Sequence, residues 1–170
     1  MCIRDSHWND SGWTSESPAN DIDFISSLID WAYAEYQIDL SRVYATGKSN
    51  GGKMSYHLAC NLGYRIAGVA SVGGSMTPNT YATCSPNQPT AIVHIHGIDD
   101  TVVPIDGNGR STPLTDMIDY WKNYNACDQE TNFVLPDLND DGYGGSLYRY
   151  YGCLNNVDVQ LFLMDQIAHD

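Results

Sequence analysis

The sequence predicts an α/β fold, a mostly parallel sheet flanked by helices, on three observations. Short runs at 42–46, 67–72, 91–96 and 157–164 read as strands, and those at 67–72 and 91–96 have the apolar pattern of strands buried on both faces. Stretches with apolar residues at helical spacing, at 21–36, 52–61 and 112–125, are interleaved with these runs. A glycine-rich turn, Gly47-Lys48-Ser49-Asn50-Gly51, stands where the first run gives way to a helix. Strands alternating with helices require crossover connections, which favour a parallel sheet.

Each element has its own signal. Residues 7–19 are rich in Ser, Gly, Trp and Pro and read as a loop. Asn20 is a helix cap with Asp23 three residues on, in the position of a capping box. Ile22, Ile25, Leu28, Ile29, Ala32, Tyr33 and Tyr36 then recur at helical spacing. The strand over 42–46 leads into the glycine turn, and a helix is expected from Gly52 to Asn61. Thr112 followed by Pro113 predicts a capped helix with a first-turn proline, carrying Leu114, Met117, Ile118 and Trp121 on one face. A last strand is expected over 157–164.

Composition narrows the function. Eight Lys and Arg against 21 Asp and Glu leave a net charge of −13 among 170 residues. A polyanion needs basic partners, which argues against nucleic acid, and an anionic membrane surface is disfavoured for the same reason. Hydrophobic residues are 42% and charged residues 17% of the chain, so a packed core is expected rather than a disordered segment. No apolar run approaches the roughly 18 residues that span a bilayer. Back-translated, Met1-Cys2-Ile3-Arg4-Asp5-Ser6 matches the end of a transposon adapter used in sequencing libraries, so residues 1–6 are expected to be adapter read-through. Without Cys2 the cysteines are Cys60, Cys84, Cys127 and Cys153, and their order suggests the bridges Cys60–Cys84 and Cys127–Cys153. Four cysteines allow three connectivities, and four buried free thiols are the alternative. Bridges imply an oxidising compartment. No spacing is that of a metal knot.

The chemistry is concentrated in Gly47-Lys48-Ser49-Asn50-Gly51, a G-x-S-x-G pattern in a strand–turn–helix setting. Such a turn strains the serine backbone and lifts its Oγ clear of the sheet, while glycines let strand and helix approach closely. The helix that follows offers free N–H groups, of which Asn50 N–H is a natural oxyanion donor. The bland alternative is an ordinary glycine turn. A serine nucleophile needs a base, and the base needs an orienting carboxylate, in the chain order Ser, Asp or Glu, His. Asp99 and Asp100 stand just past the strand over 91–96, and His169 stands past the last strand. His7 and His57 come too early, and His94 and His96 precede the acid.

Residues 39–52, from Asp39-Leu40-Ser41-Arg42 through Gly47-Lys48-Ser49-Asn50-Gly51-Gly52, resemble the signature of the polyhydroxybutyrate depolymerase family of esterases, which includes feruloyl and acetylxylan esterase-like members. Trp8-Asn9, the segment 21–24, Leu58-Ala59-Cys60, Cys84-Ser85-Pro86 and His96-Gly97-Ile98-Asp99-Asp100 fall in the same order, so the resemblance covers essentially 7–170. It implies an α/β-hydrolase fold and a serine esterase with Ser49 as nucleophile, His169 as base and Asp100 as acid. The register selects Asp100, since the family's aspartate stands three residues after the glycine of its His-Gly pair. Asp106, in the same loop, is the reserve candidate. Lys48 departs from the family, which often carries an apolar residue or Gln there. The resemblance also implies an upstream strand and His-Gly-rich loop supplying a second oxyanion N–H, which nothing in residues 1–46 matches. Residues 7–170 are therefore expected to be a partial catalytic domain without its N-terminal strands, exported to the periplasm or medium, with the leader lost from the start of the sequence. The expected partner is an ester substrate, a polyester or a polysaccharide ester, and no cofactor is expected. The competing readings are a serine peptidase of related fold and a non-catalytic binding module.

Two further features carry less. Asp137-Leu138-Asn139-Asp140-Asp141-Gly142 matches the first half of a calcium loop, but its twelfth position is Tyr148 rather than a bidentate Glu, so no metal is assigned and the plainer reading is an acidic, glycine-containing turn between strands. Trp8, Trp13, Tyr81, Trp121 and Tyr151 could stack on sugar or aryl rings, a use less common than core or loop anchoring.

Overall fold

The computed structural model of the chain describes residues 7–12 and 19–169. Residues 1–6 and Trp13 lie outside the described residues. Helix α1 (Asp21–Tyr36) begins where the Asn20 side chain accepts from Asp23 N at 3.2 Å. The return contact goes from Asn20 Nδ2 to the Asp23 carboxylate, not from the Asn20 backbone as a capping box would have it.

The sheet has six strands in the order β1-β2-β3-β6-β5-β4, with β1 (Tyr44–Lys48), β2 (Gly68–Val72), β3 (Ala91–Gly97), β4 (Gln129–Leu135), β5 (Gly145–Tyr151) and β6 (Val159–Met164). β1, β2, β3 and β6 pair in parallel, so their carboxyl ends lie along one edge of the sheet. β4 and β5 form an antiparallel hairpin that joins through β5–β6. The sequence offers 137–142 as a turn between strands, but neither flanking strand is assigned a range there. β4 is mostly exposed, with Phe133 and Val134 facing solvent, and so lacks the apolar run that marks a buried strand. The strand expected at 42–46 is displaced to 44–48, because Asp39 accepts from Ser41 N and turns 40–42 into a short 3₁₀ segment.

Helix α2 (Asn50–Asn61) starts two residues before the expected Gly52, directly after Ser49. The short helix α3 (Pro78–Thr83), capped by Thr77, is also new. Helix α4 (Leu114–Tyr124) corrects the cap proposed for Thr112. Pro113 occupies the cap position and Thr112 Oγ1 is buried without a hydrogen-bond partner. The Thr112 backbone is instead tied to the loop after β2, its N–H to Met76 O at 2.8 Å and its carbonyl to Ser75 Oγ at 2.7 Å. That contact holds Thr112 outside the helix.

One core joins Ile29 of α1, Met54 and Leu58 of α2, Ile92 and Val159 of the sheet, and Met117 and Trp121 of α4. Full burial of such side chains stabilises by about 1.5–3 kcal/mol each. Trp121 is fully buried, which places it in the core and removes it from the candidate ring platforms. Disulfides join Cys60 to Cys84, tying α2 to the end of α3, and Cys127 to Cys153, tying the exit of α4 to the exit of β5. Among the described residues no helix is long and apolar enough to cross a membrane.

Candidate active site

The parallel sheet brings four connections to one edge, and the chemistry-bearing residues sit on them. Ser49 follows β1 with φ 54° and ψ −115°, a backbone conformation costly for a residue with a Cβ. The surroundings hold it there. Its N–H donates to Val72 O at 2.9 Å, and its carbonyl accepts from Lys53 N at 3.0 Å as α2 begins.

Two glycines make the turn possible, and they are not the pair the motif emphasises. A Cβ on Gly47 would lie 2.5 Å from the Gly51 backbone, and one on Gly52 would lie 2.2 Å from Ser71 Oγ. A Cβ on Gly51 would meet nothing within 4 Å. Gly52→Ala should therefore destabilise by about 1–3 kcal/mol through overpacking. Gly51→Ala should be neutral or stabilise by up to about 1 kcal/mol, since alanine is the better helix former. Denaturant unfolding of the two variants checks this, and equal losses would contradict it.

His169 bridges the other two groups. Its Nδ1 lies 2.7 Å from Asp100 Oδ2 and its Nε2 lies 2.8 Å from Ser49 Oγ. A carboxylate can only accept, so Nδ1 carries the proton and Nε2 is left to accept from the serine hydroxyl. Asp100 is buried, and its other oxygen accepts from Val102 N at 2.9 Å and Val103 N at 2.8 Å. Burial alone would raise its carboxyl pKa. The His169 hydrogen bond and the amides of Val103 and Val102 outweigh it, and the net displacement is below the ordinary carboxylate value. Asp99 is exposed, and only its backbone engages the region, donating to Ile167 O at 3.1 Å. Asp106 is exposed as well.

Asn50 is the first residue of α2, so its N–H belongs to the turn whose donors have no intrahelical acceptor. Its side chain is occupied elsewhere. Oδ1 accepts from Trp8 N at 2.8 Å, and Nδ2 donates to Trp8 O at 3.2 Å and Asp10 Oδ2 at 3.0 Å. This two-way amide contact seats residues 8–10 against the start of α2. Beside Ser49 opens a cavity of about 600 Å³ whose walls include Lys53, Val102, Val103 and Asn108. Lys53 is itself buried, donates to Arg110 O at 2.9 Å, and has its ammonium pKa lowered chiefly by burial.

Residues 5–127 match the model of the family described as phospholipase/carboxylesterase. The chain belongs to that family. Ser49 and Asp100 fall inside the matched segment and His169 beyond it. The carboxylesterase-family chain is 36% identical over 152 residues to a bifunctional acetylxylan esterase/xylanase of Neocallimastix patriciarum, covering 88% of the chain and 21% of that protein. It is 30% identical over 161 residues to feruloyl esterase C of Emericella nidulans, covering 94% of the chain and 53% of that protein. The chain thus spans about half the length of the feruloyl esterase and about a fifth of the bifunctional protein. Its fold is similar to that of an acetyl xylan esterase from Aspergillus awamori, with a TM-score of 0.53 at 14% identity over 88% of the chain and 62% of that structure.

Several contributors to the site in this carboxylesterase-family chain escaped the sequence reading. Gly73 and Gly74 follow β2 and pass beneath the Ser49–His169–Asp100 chain. A Cβ on Gly74 would lie 2.4 Å from Ser49 O, and one on Gly73 would sit 3.6 Å from His169 Nδ1. A glycine pair at the carboxyl end of a buried strand was the available signal. Gly97 is equally constrained, because its Cβ would meet Ile167 O at 2.0 Å where the His169 segment crosses the loop bearing Asp100. The segment 137–142 is a self-contained turn. Asp137 accepts from Gly142 N, Asp141 N and Asn139 N, and the first of these bonds leads in lowering its carboxyl pKa. Of the remaining aromatics, Trp8 is partly exposed beside Ser49, Tyr81 packs edge-on against Tyr120, and Tyr151 lies under the Arg149 guanidinium.

Proposed function

We propose that this chain carries the catalytic centre of a serine hydrolase of carboxylic esters. The observation that supports it most is the continuous hydrogen-bonded chain from Ser49 Oγ through His169 to buried Asp100, set at the strained start of a helix. In this reading Ser49 Oγ attacks the ester carbonyl as His169 Nε2 takes its proton. Asp100 holds the imidazole in the required tautomer and stabilises the imidazolium. The Asn50 N–H donates to the developing oxyanion, aided by the positive end of α2. The alcohol leaves with the proton from His169. Water then attacks the acyl-enzyme carbonyl, losing a proton to His169, and as the acid is released that proton passes from His169 to Ser49 Oγ and restores the hydroxyl.

The substrate class is a feruloyl or acetylxylan ester, by analogy with the named relatives. A polyester chain is the alternative that the sequence motif raises. The two disulfides favour export to an oxidising compartment. The test uses the full-length protein with a fluorophosphonate probe and a panel of methyl ferulate, acetylated xylan and poly(3-hydroxybutyrate). Label on the peptide containing Ser49 and release of ferulate or acetate are expected. Absence of label would favour a non-catalytic module, and turnover of the polyester alone would move the substrate class.

A further inference from the structure

A second hydrogen-bonded chain, buried and unused by the proposed chemistry, runs up to the same carboxylate. Tyr56 of α2 donates its hydroxyl to His94 Nδ1 at 2.8 Å, His94 Nε2 meets His96 Nδ1 at 2.9 Å, and His96 Nε2 meets Val103 O at 2.7 Å. Tyr56, His94 and His96 are all fully buried or within 1% of it. The two imidazoles stand on one face of β3, two residues apart, with ring centroids 5.2 Å apart and planes within 14°.

The proton positions in this chain follow from its end. The Val103 carbonyl can only accept, so His96 Nε2 carries a hydrogen and His96 Nδ1 must accept. His94 Nε2 then donates, His94 Nδ1 accepts, and Tyr56 supplies the hydroxyl hydrogen. Every member is satisfied with both imidazoles neutral. Burial agrees with this, pushing His94 well below and His96 below the ordinary imidazole value.

The end of the chain is where the loop bearing Asp100 is anchored. Between Gly97 and Val103, residues Ile98, Asp99, Thr101 and Val102 are exposed, and only Asp100 and Val103 turn inward. Val103 gives its N–H to Asp100 Oδ1 and its carbonyl to His96. The same His96 N–H lies 3.5 Å from Asp100 Oδ2, the oxygen that His169 uses. Without a donor at His96 Nε2, the Val103 carbonyl would be buried and unpaired, and the loop would lose its tie to β3 at Val103, leaving the main-chain bonds of Ile98 to Met164 and Asp99 to Ile167 at its start.

We propose that His96, fixed as its Nε2–H tautomer by the Val103 carbonyl and satisfied at Nδ1 by the His94–Tyr56 chain, is a positioning residue that holds Asp100 in line with His169 through that carbonyl. This rests on the catalytic reading above for its consequence in rate, though not for its geometry. The test compares two isosteric halves of the imidazole in the full-length protein. His96→Gln keeps an amide donor near the Nε2 position. His96→Asn keeps polar atoms near Nδ1, facing His94, and cannot reach Val103. With p-nitrophenyl acetate, His96→Asn should lower kcat by about 10–100-fold, the scale of an ångström-sized misplacement, with KM within about twofold. His96→Gln should recover most of that loss. Tyr56→Phe, at the far end, should cost less than His96→Asn, because Val103 alone still dictates the His96 tautomer. The downfield proton resonance of the His169–Asp100 hydrogen bond should be displaced or lost in His96→Asn and kept in His96→Gln. Equal kcat in the Asn and Gln variants, or an unmoved resonance in His96→Asn, would overturn the proposal. If the parent protein took no fluorophosphonate label, the catalytic reading would fall, while the resonance would still test the positioning.

Discussion

Replacing Ser49 by alanine should abolish ester hydrolysis, lowering kcat by about 10⁴–10⁶-fold on p-nitrophenyl acetate, the range seen when a serine nucleophile is removed. The expectation follows from where Ser49 sits. Its Oγ is the atom within 2.8 Å of His169 Nε2, and the turn that presents it is held in a strained conformation by backbone bonds to Val72 and Lys53. Those bonds are made by main-chain atoms, so they survive the change. Alanine has the same Cβ, and the fold should therefore persist, with an unfolding midpoint close to the parent's. Fluorophosphonate labelling should disappear in parallel. Residual activity above a tenth of the parent's, in a folded variant, would point to another nucleophile.

The second large effect separates two adjacent carboxylates. Asp100→Asn should cost about 10⁴-fold in kcat while Asp99→Asn changes it little. Asp100 offers one oxygen to two amides and the other to His169 Nδ1, and an asparagine in its place can satisfy only one of these demands. With its oxygen on the Val102 and Val103 amides, its NH₂ would face His169 as a donor. The imidazole would then turn its N–H toward Ser49, the wrong tautomer for a base. Asp99 is exposed, and its contact to Ile167 uses only its backbone N–H, which asparagine retains. Steady-state kinetics of the two purified variants measure this. A dead Asp99→Asn enzyme beside an active Asp100→Asn enzyme would shift the assignment by one residue. Two active variants would move attention to Asp106, which lies exposed on the same loop.

The helix over 21–36 was legible to the residue, because a long amphipathic period with a capping asparagine is a local property. The parallel strands were legible for a related reason. A strand in the interior of a sheet is mostly apolar, and β2, β3 and β6 are so apart from Ser71, His94, His96 and Gln160. The β4–β5 hairpin was not, since an exposed strand paired at the edge of a sheet carries no such run, and its pairing depends on β6, which comes later in the chain. Thr112 shows the same limit at one residue. Its cap signal was sound locally, and a tertiary contact to Met76 and Ser75 overrode it.

By itself, the sequence determined which residues could do chemistry, because the order of a serine in a strand–turn–helix, an acid after a later strand and a histidine after the last follows from the linear arrangement of elements. It also determined the class of fold, through period and composition. Only the tertiary structure decided that His169 stands within 2.8 Å of both Ser49 and Asp100, since those distances are set by the parallel register of β1, β2, β3 and β6. It alone decided that Gly52 and not Gly51 bears the close approach, because the clash partner, Ser71, lies on a neighbouring strand. It decided, too, that two histidines on an apolar strand have hydrogen-bond partners. A buried imidazole must be paired, but its partners Tyr56 and Val103 lie 38 residues before His94 and 7 residues after His96, distances over which no local pattern carries information.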